Sequence, residues 1–423
     1  MKHMKLRILI IVVLLPGLLP AQSLSLDACY ELARSNYPLL RQQSINEQIT
    51  ALQLEKLDLQ KLPQISWNAQ ATYQSESIEV PLNLPNGERL AQPKLNGQTT
   101  LEANYNIYDG GRIDAAKTME QARLNVSQQS LEVELDKLKK QVNQLYFGII
   151  LSRAQDSILL QTRADLEVRL DQLQAGEREG VVLPSEVNKL KVELLRLESQ
   201  RDNLAAQVNR LASTLGGLIG RAIEPSVALE LPANPGIPSP VAVGRPELEL
   251  FQQQKQEAVS QLSMIEAQRK PQLGAFVRAG VGYANPFNFF DTNLSPFAMA
   301  GIQFHWNILD WGKKDKDRQL VQLRTEMIDT QKATFLHNLD LLDGQYIADE
   351  NKLQQLIEQS EAIRLLQEEL LQQTAAQLEH GVATANDYLI QSNAITQTRL
   401  NLKLYQLQLL QLKIDYLTDK GLL

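Results

Sequence analysis

The sequence is poor in the residues that carry most protein chemistry. It has one cysteine, four histidines, 5% aromatic residues and no excess of cations. Each shortage excludes something. Cys29 alone can close neither an intrachain disulfide nor a paired-cysteine metal site. Histidine stands only at positions 3, 305, 337 and 380, and no HExxH, GxSxG or Walker A phosphate loop occurs. Neither an enzyme nor a bound cofactor or metal is therefore expected. A formal net charge of -7 argues against a nucleic acid as partner. Beyond the N-terminus, no apolar run is long enough for a membrane helix.

What is present begins with a segment expected to be removed. Lys2, Lys5 and Arg7 precede the apolar run 8–15, and Leu19-Pro20-Ala21 places a small residue after it. Residues 1–21 read as a secretory signal peptide. Its loss would take the formal net charge from -7 to -10. Asp27 stands where a lipoprotein signal wants a small apolar residue, so Cys29 reads as a small apolar side chain of the first helix.

One phrase is written twice. Tyr105-Asn106-Ile107-Tyr108-Asp109-Gly110-Gly111 and Trp306-Asn307-Ile308-Leu309-Asp310-Trp311-Gly312 lie 201 residues apart. Gly180-Val181 and Gly381-Val382 share that offset. Pro38 and Pro246, and Pro63-Gln64 and Pro271-Gln272, are 208 apart. Two offsets, each seen twice, point to an internal duplication. The first copy then carries seven extra residues between 63 and 105, as expected of a surface loop. The expected first repeat, 22–215, holds a helix 27–61, a hairpin 63–108, a long helix 112–178, a turn 179–185 and a helix 185–215. A proline-rich linker, 216–245, leads to the second repeat, 246–423. That repeat holds a helix 245–269, a hairpin 271–309, a long helix 313–379, a turn 380–386 and a helix 386–419.

The long runs contain no proline, and about 67 residues make a helix on the order of 100 Å long, which requires coiled-coil packing. Val187, Leu190, Leu194, Leu197, Leu204, Val208, Leu211 and Leu215 keep 3-4 spacing, broken once by Arg201. Helices 27–61 and 185–215, about 52 and 46 Å long, together match one long helix and would stack end to end beside it.

The extended segments alternate with period two. Leu101, Ala103, Tyr105 and Ile107 share one face, as do Ile302, Phe304, Trp306 and Ile308; polar residues and glycine share the other. With the helical seams already used, the apolar face is expected to meet lipid, the alternation of an outer-membrane strand. Four strands per chain cannot close a barrel, so oligomerisation must. Two chains give eight strands, and three give twelve, enough for a channel.

Together the duplicated order, the opening LSLDACYELARSNYPLLR, the repeated strand-to-helix phrase and the turns at Gly180 and Gly381 resemble the TolC-like outer-membrane efflux channels over the whole chain after residue 21. The resemblance implies a mainly α fold with a β-barrel part. A homotrimer would form a twelve-stranded barrel in outer-membrane lipid, continued by a periplasmic α-helical barrel. It implies a passive exit duct of a tripartite efflux or type I secretion system. The partners would be a periplasmic adaptor (membrane fusion) protein and an inner-membrane pump of RND, ABC or MFS type.

By the same resemblance, Gly180, Val181, Val182, Gly381, Val382 and Ala383 are the tips where the adaptor docks. Glu186 and Asp387 match acidic tip positions and read equally as a constriction or as helix caps, with Ser185 or Asn386 as further caps. Asn106, Asp109, Gly111, Asn307, Asp310 and Gly312 are expected to turn each strand into its long helix. The family's arginine, tyrosine and second acid at the closed tip are replaced by Ala383, Leu378 and Ile390. The closing network must therefore differ. A non-channel periplasmic coiled-coil or adaptor protein is the competing reading, and it has no use for two alternating hairpins.

Overall fold

The computed structural model describes residues 23–77, 79–83, 89–237, 242–288 and 291–423. The expected signal peptide, and Pro238 and Pro240 of the expected linker, lie outside the described residues. The elements run α1 (Leu26–Asn36), α2 (Leu40–Leu59), β1 (Gln64–Tyr73), β2 (Glu79–Asn83), β3 (Arg89–Ala91), β4 (Leu95–Tyr108), α3 (Arg112–Arg178) and α4 (Pro184–Ile219). They continue with α5 (Pro246–Ala267), β5 (Gln272–Tyr283), β6 (Ser295–His305), α6 (Lys313–Glu379) and α7 (Ala385–Lys420). Helices α3 and α6 each have 67 residues, and α4 and α7 each have 36.

Three differences from the sequence expectation have local causes. The helix expected over 27–61 is two helices. Pro38 lacks an N–H and disfavours a helical residue before it, and Tyr37 is extended, at φ -70° and ψ 127°. Among the described residues there are six strands rather than four, because β2 and β3 form a small antiparallel pair beside the four-stranded sheet. They lie in the region where the first half carries its seven extra residues, so part of the expected loop is paired strand. Helix α4 runs past 215 to Ile219 and stops at Gly220, whose φ of +68° suits glycine. The irregular connection is correspondingly shorter than 216–245.

The described residues divide into two compact units, one drawn from 23–37, 137–242 and 342–423, the other from 38–136 and 243–341. In the first unit, Cys29, Tyr30 and Ala33 of α1 pack with Val142, Tyr146 and Phe147 of α3 and with Ala212, Leu215 and Ile219 of α4. Burial pushes the Cys29 thiol up to about 12, which keeps it protonated and unreactive. Val187, Leu190, Leu197, Val208 and Leu215 of the α4 seam are buried. The polar break in that seam, Arg201, pairs with Asp156 of α3 at 2.7 Å.

The second unit holds α2, α5, the beginnings of α3 and α6 and an antiparallel sheet of order β1-β4-β5-β6. Among the described residues, no helix is long and apolar enough to cross a membrane.

Candidate functional site

Strand register decides which side chains share a face of the sheet. Trp67 lies opposite Leu101, Leu101 opposite Ala279, and Ala279 opposite Ala298. Ile65, Ala103, Val277 and Ala300 form the next row on that face, and Tyr105, Ala275 and Ile302 align beyond it. The apolar sets expected from period two are thus continuous across all four strands. They are also exposed: Trp67 is 74% exposed, Ile302 72% and Phe304 63%. The other face carries Gln64, Ser66, Asn68, Glu102, Asn104 and Arg278, with Phe276, Phe297 and Met299 as apolar intruders. Phe276 lies over Gly301, where a β-carbon would approach its ring to 2.8 Å. Trp306 falls just beyond the end of β6 at His305, because β5 begins at Gln272, the partner of His305, and offers nothing further to pair with.

Each expected turn is a side-chain cap. Asp109 accepts from the backbone N–H of Gly111 at 2.9 Å and of Ile113 at 2.7 Å. Asp310 accepts from Gly312 at 3.2 Å and Lys314 at 3.1 Å. These bonds satisfy N–H groups that a helix start leaves free. Gly110, Gly111 and Gly312 have positive φ, and so does Trp311, at +53°. Arg269 also reaches Asp310, at 3.3 Å. Asn106 sits at a register shift in β4, and Asn307 follows β6.

The two helix ends at the tips have the same backbone. Gly180 and Gly381 are left-handed, at φ +79° and +70°. The Val181 N–H returns to the Gly176 carbonyl at 2.9 Å, and Val382 returns to Gln377 at 2.8 Å. Both are Schellman endings, which satisfy the last carbonyls of the helix. Val181 and Val382 are 77% and 78% exposed. Val182 folds back over Gly176, whose missing β-carbon would lie 2.6 Å from it. Ala383 is half-buried, and Ile390 is exposed.

The caps of the returning helices differ from the expected pair. Neither Ser185 nor Asn386 is the capping residue. Helix α4 starts with Pro184 at its first turn and has no side-chain cap. In α7 the cap is Thr384, whose hydroxyl accepts from the Asp387 N–H at 3.2 Å, while Asp387 accepts from the Thr384 N–H at 2.9 Å. This is a capping box. The Thr384 backbone N–H and then its hydroxyl hold the Asp387 carboxyl below its ordinary range.

Glu186 accepts from the Ala385 N–H, 199 positions away, at 3.0 Å and from Lys189 at 2.7 Å. The two acidic tip residues are therefore both engaged at the start of α7. Arg169 stands 5.6 Å from the ring centre of buried Tyr388. Sequence reasoning missed the Glu186–Ala385 bridge because nothing local signals it. The capping box was legible as Thr384-x-x-Asp387.

No family model matches the sequence, and no curated protein matches it either. Solved structures do match the fold. The chain is similar to the outer membrane protein VceC from Vibrio cholerae, with a TM-score of 0.65 at 15% identity over 94% of this chain and 96% of that one. It is similar to CusC, described for conformational changes accompanying folding and transmembrane channel formation, with a TM-score of 0.69 at 14% identity over 93% and 91%. It is also similar to the open state of the MtrE outer membrane channel of Neisseria gonorrhoeae, with a TM-score of 0.64 at 16% identity over 94% and 88%. At these identities the likeness is one of fold.

Proposed function

We propose that this chain, which has the fold of TolC-like outer-membrane channels, is a passive outer-membrane exit duct. One observation carries the proposal: a four-stranded sheet with an exposed, continuous apolar face, an opposite face that carries all its charged and most of its amide side chains, and two open edges, β1 and β6. An open edge in hydrocarbon leaves backbone groups unsatisfied at several kcal/mol each. Three copies pairing β6 of one with β1 of the next would satisfy them and close twelve strands around a lumen. Leu101, Tyr105, Ile107, Ile302, Phe304 and Trp306 would then face lipid, with the polar face inward.

The tips around Gly180-Val181-Val182 and Gly381-Val382-Ala383 would receive a periplasmic adaptor, which joins the duct to an inner-membrane pump. The high exposure of Val181 and Val382 favours partner contact. Glu186 and Asp387 would lie at the narrowed end. In this reading a closed tip would be organised about the start of α7, where both carboxylates accept hydrogen bonds, rather than by the residue types replaced at Leu378, Ala383 and Ile390. No catalytic role is assigned.

The test is extraction and conductance. The protein should leave the membrane fraction only with detergent, run as a trimer and conduct in planar bilayers. A soluble monomer without detergent would reject the duct and favour a periplasmic coiled-coil adaptor.

A further inference from the structure

Across β1, β4, β5 and β6, the only carboxylate is Glu102 and the only lysine or arginine is Arg278. They come from positions 176 apart and stand directly opposite each other on β4 and β5. The Arg278 Nε donates to Glu102 Oε2 at 3.0 Å, and its Nη2 reaches the same oxygen at 2.8 Å. The Asn104 side chain donates to Glu102 Oε1 at 3.0 Å. Their row continues to Ser66 on β1 and Met299 on β6, so no third charge joins the balance. The pair lies on the polar face, the one that would line the lumen.

Stability alone explains the pair poorly. Partly exposed ion pairs contribute little, and the rows on either side, Gln64–Asn104–Phe276–Gly301 and Asn68–Thr100–Gly280–Phe297, hold together without any charge. The electrical consequence is larger. Together the two charges cancel; singly, each would be repeated by three-fold symmetry into a ring of one sign, as in charged selectivity rings. We infer that Glu102 and Arg278 determine the charge selectivity of the strand-built part of the conduit, holding it neutral so that cargo of either sign passes. This rests on the exit-duct reading above.

The experiment measures reversal potentials of the full-length trimer in planar bilayers under a KCl gradient. Glu102→Gln should shift the K⁺/Cl⁻ permeability ratio toward chloride by about threefold at roughly 0.1 M salt, the scale set by three partly screened charges. Arg278→Gln should shift it as far toward potassium. The double variant, and the exchange Glu102→Arg with Arg278→Glu, should return near the unsubstituted ratio. A merely structural pair would weaken the trimer in both single variants without opposite electrical signs. If a single variant does not fold, Ser66→Asp and Ser66→Lys add one charge to the same row with the pair intact, and should shift the ratio toward potassium and chloride respectively. Current with an unchanged ratio, or shifts of one sign, overturns this inference alone. Absence of current from the unsubstituted protein overturns the duct.

Discussion

The strand-to-helix turns of the two halves share a backbone but not its surroundings. In the first, a β-carbon on Gly110 would approach the Lys270 side chain to 2.8 Å and the Ala267 carbonyl to 3.0 Å. In the second, the same place holds Trp311, also left-handed and 89% exposed. One site needs glycine for both torsion and space; the other bears the torsional cost and has open space. The tips differ in a similar way. The first relies on Val182 folding over Gly176 and on Pro184, whereas the second uses a capping box and borrows Glu186 from its neighbour. A duplicated phrase therefore preserves a backbone path, while each copy stabilises that path with the contacts its position supplies.

The sharpest way to break this comparison is at the turns. Gly110→Val should cost about 3 kcal/mol, the sum of left-handed strain and overpacking. Gly111→Val, with nothing near its β-carbon, should cost only about 1–2 kcal/mol. Denaturation midpoints of the detergent-solubilised protein would compare them, and equal losses would remove the distinction.

At the tips, Thr384→Ala should cost about 1 kcal/mol and speed hydrogen exchange at residues 385–387, whereas Ser185→Ala should change little. Glu186→Gln should act on the Ala385 amide of the other tip more than on its own helix, because that is where its carboxylate accepts.

The smallest effect is electrostatic. Since the folded-state Asp387 carboxyl is held below its ordinary range, its contribution is complete above the unfolded value and is lost as pH falls through the lowered folded value. Proteolytic nicking at the second tip should rise on acidification below the ordinary aspartate range. The Thr384→Ala variant should show a weaker pH dependence than the unsubstituted protein, and an identical profile would assign the acid response elsewhere.

Much of the architecture was legible in the residues. Helices α3 and α6 start where Asp-x-Gly supplies a cap and a turn, and they end before Gly180 and Gly381 because glycine there accepts a left-handed torsion. Period two placed Leu101, Tyr105 and Ile302 on one face. Pro38 is a visible landmark of the repeat, and the missing N–H and the extended Tyr37 before it divide 27–61 into two helices. The end of β6 at His305 could not be read, since a strand stops where its partner stops, and the partner is β5.

What the sequence determined by itself is local: where helices begin and end, which side chains alternate, and the path of each repeated turn. These follow from torsional preference, capping and periodicity, all acting over a few residues. Only the tertiary structure decided that Glu186 serves the opposite tip, that Arg278 meets Glu102, and that a β-carbon is crowded at Gly110 where Trp311 is tolerated. Each depends on chain segments well over a hundred residues apart arriving within contact distance, a meeting set by strand register and helix packing together.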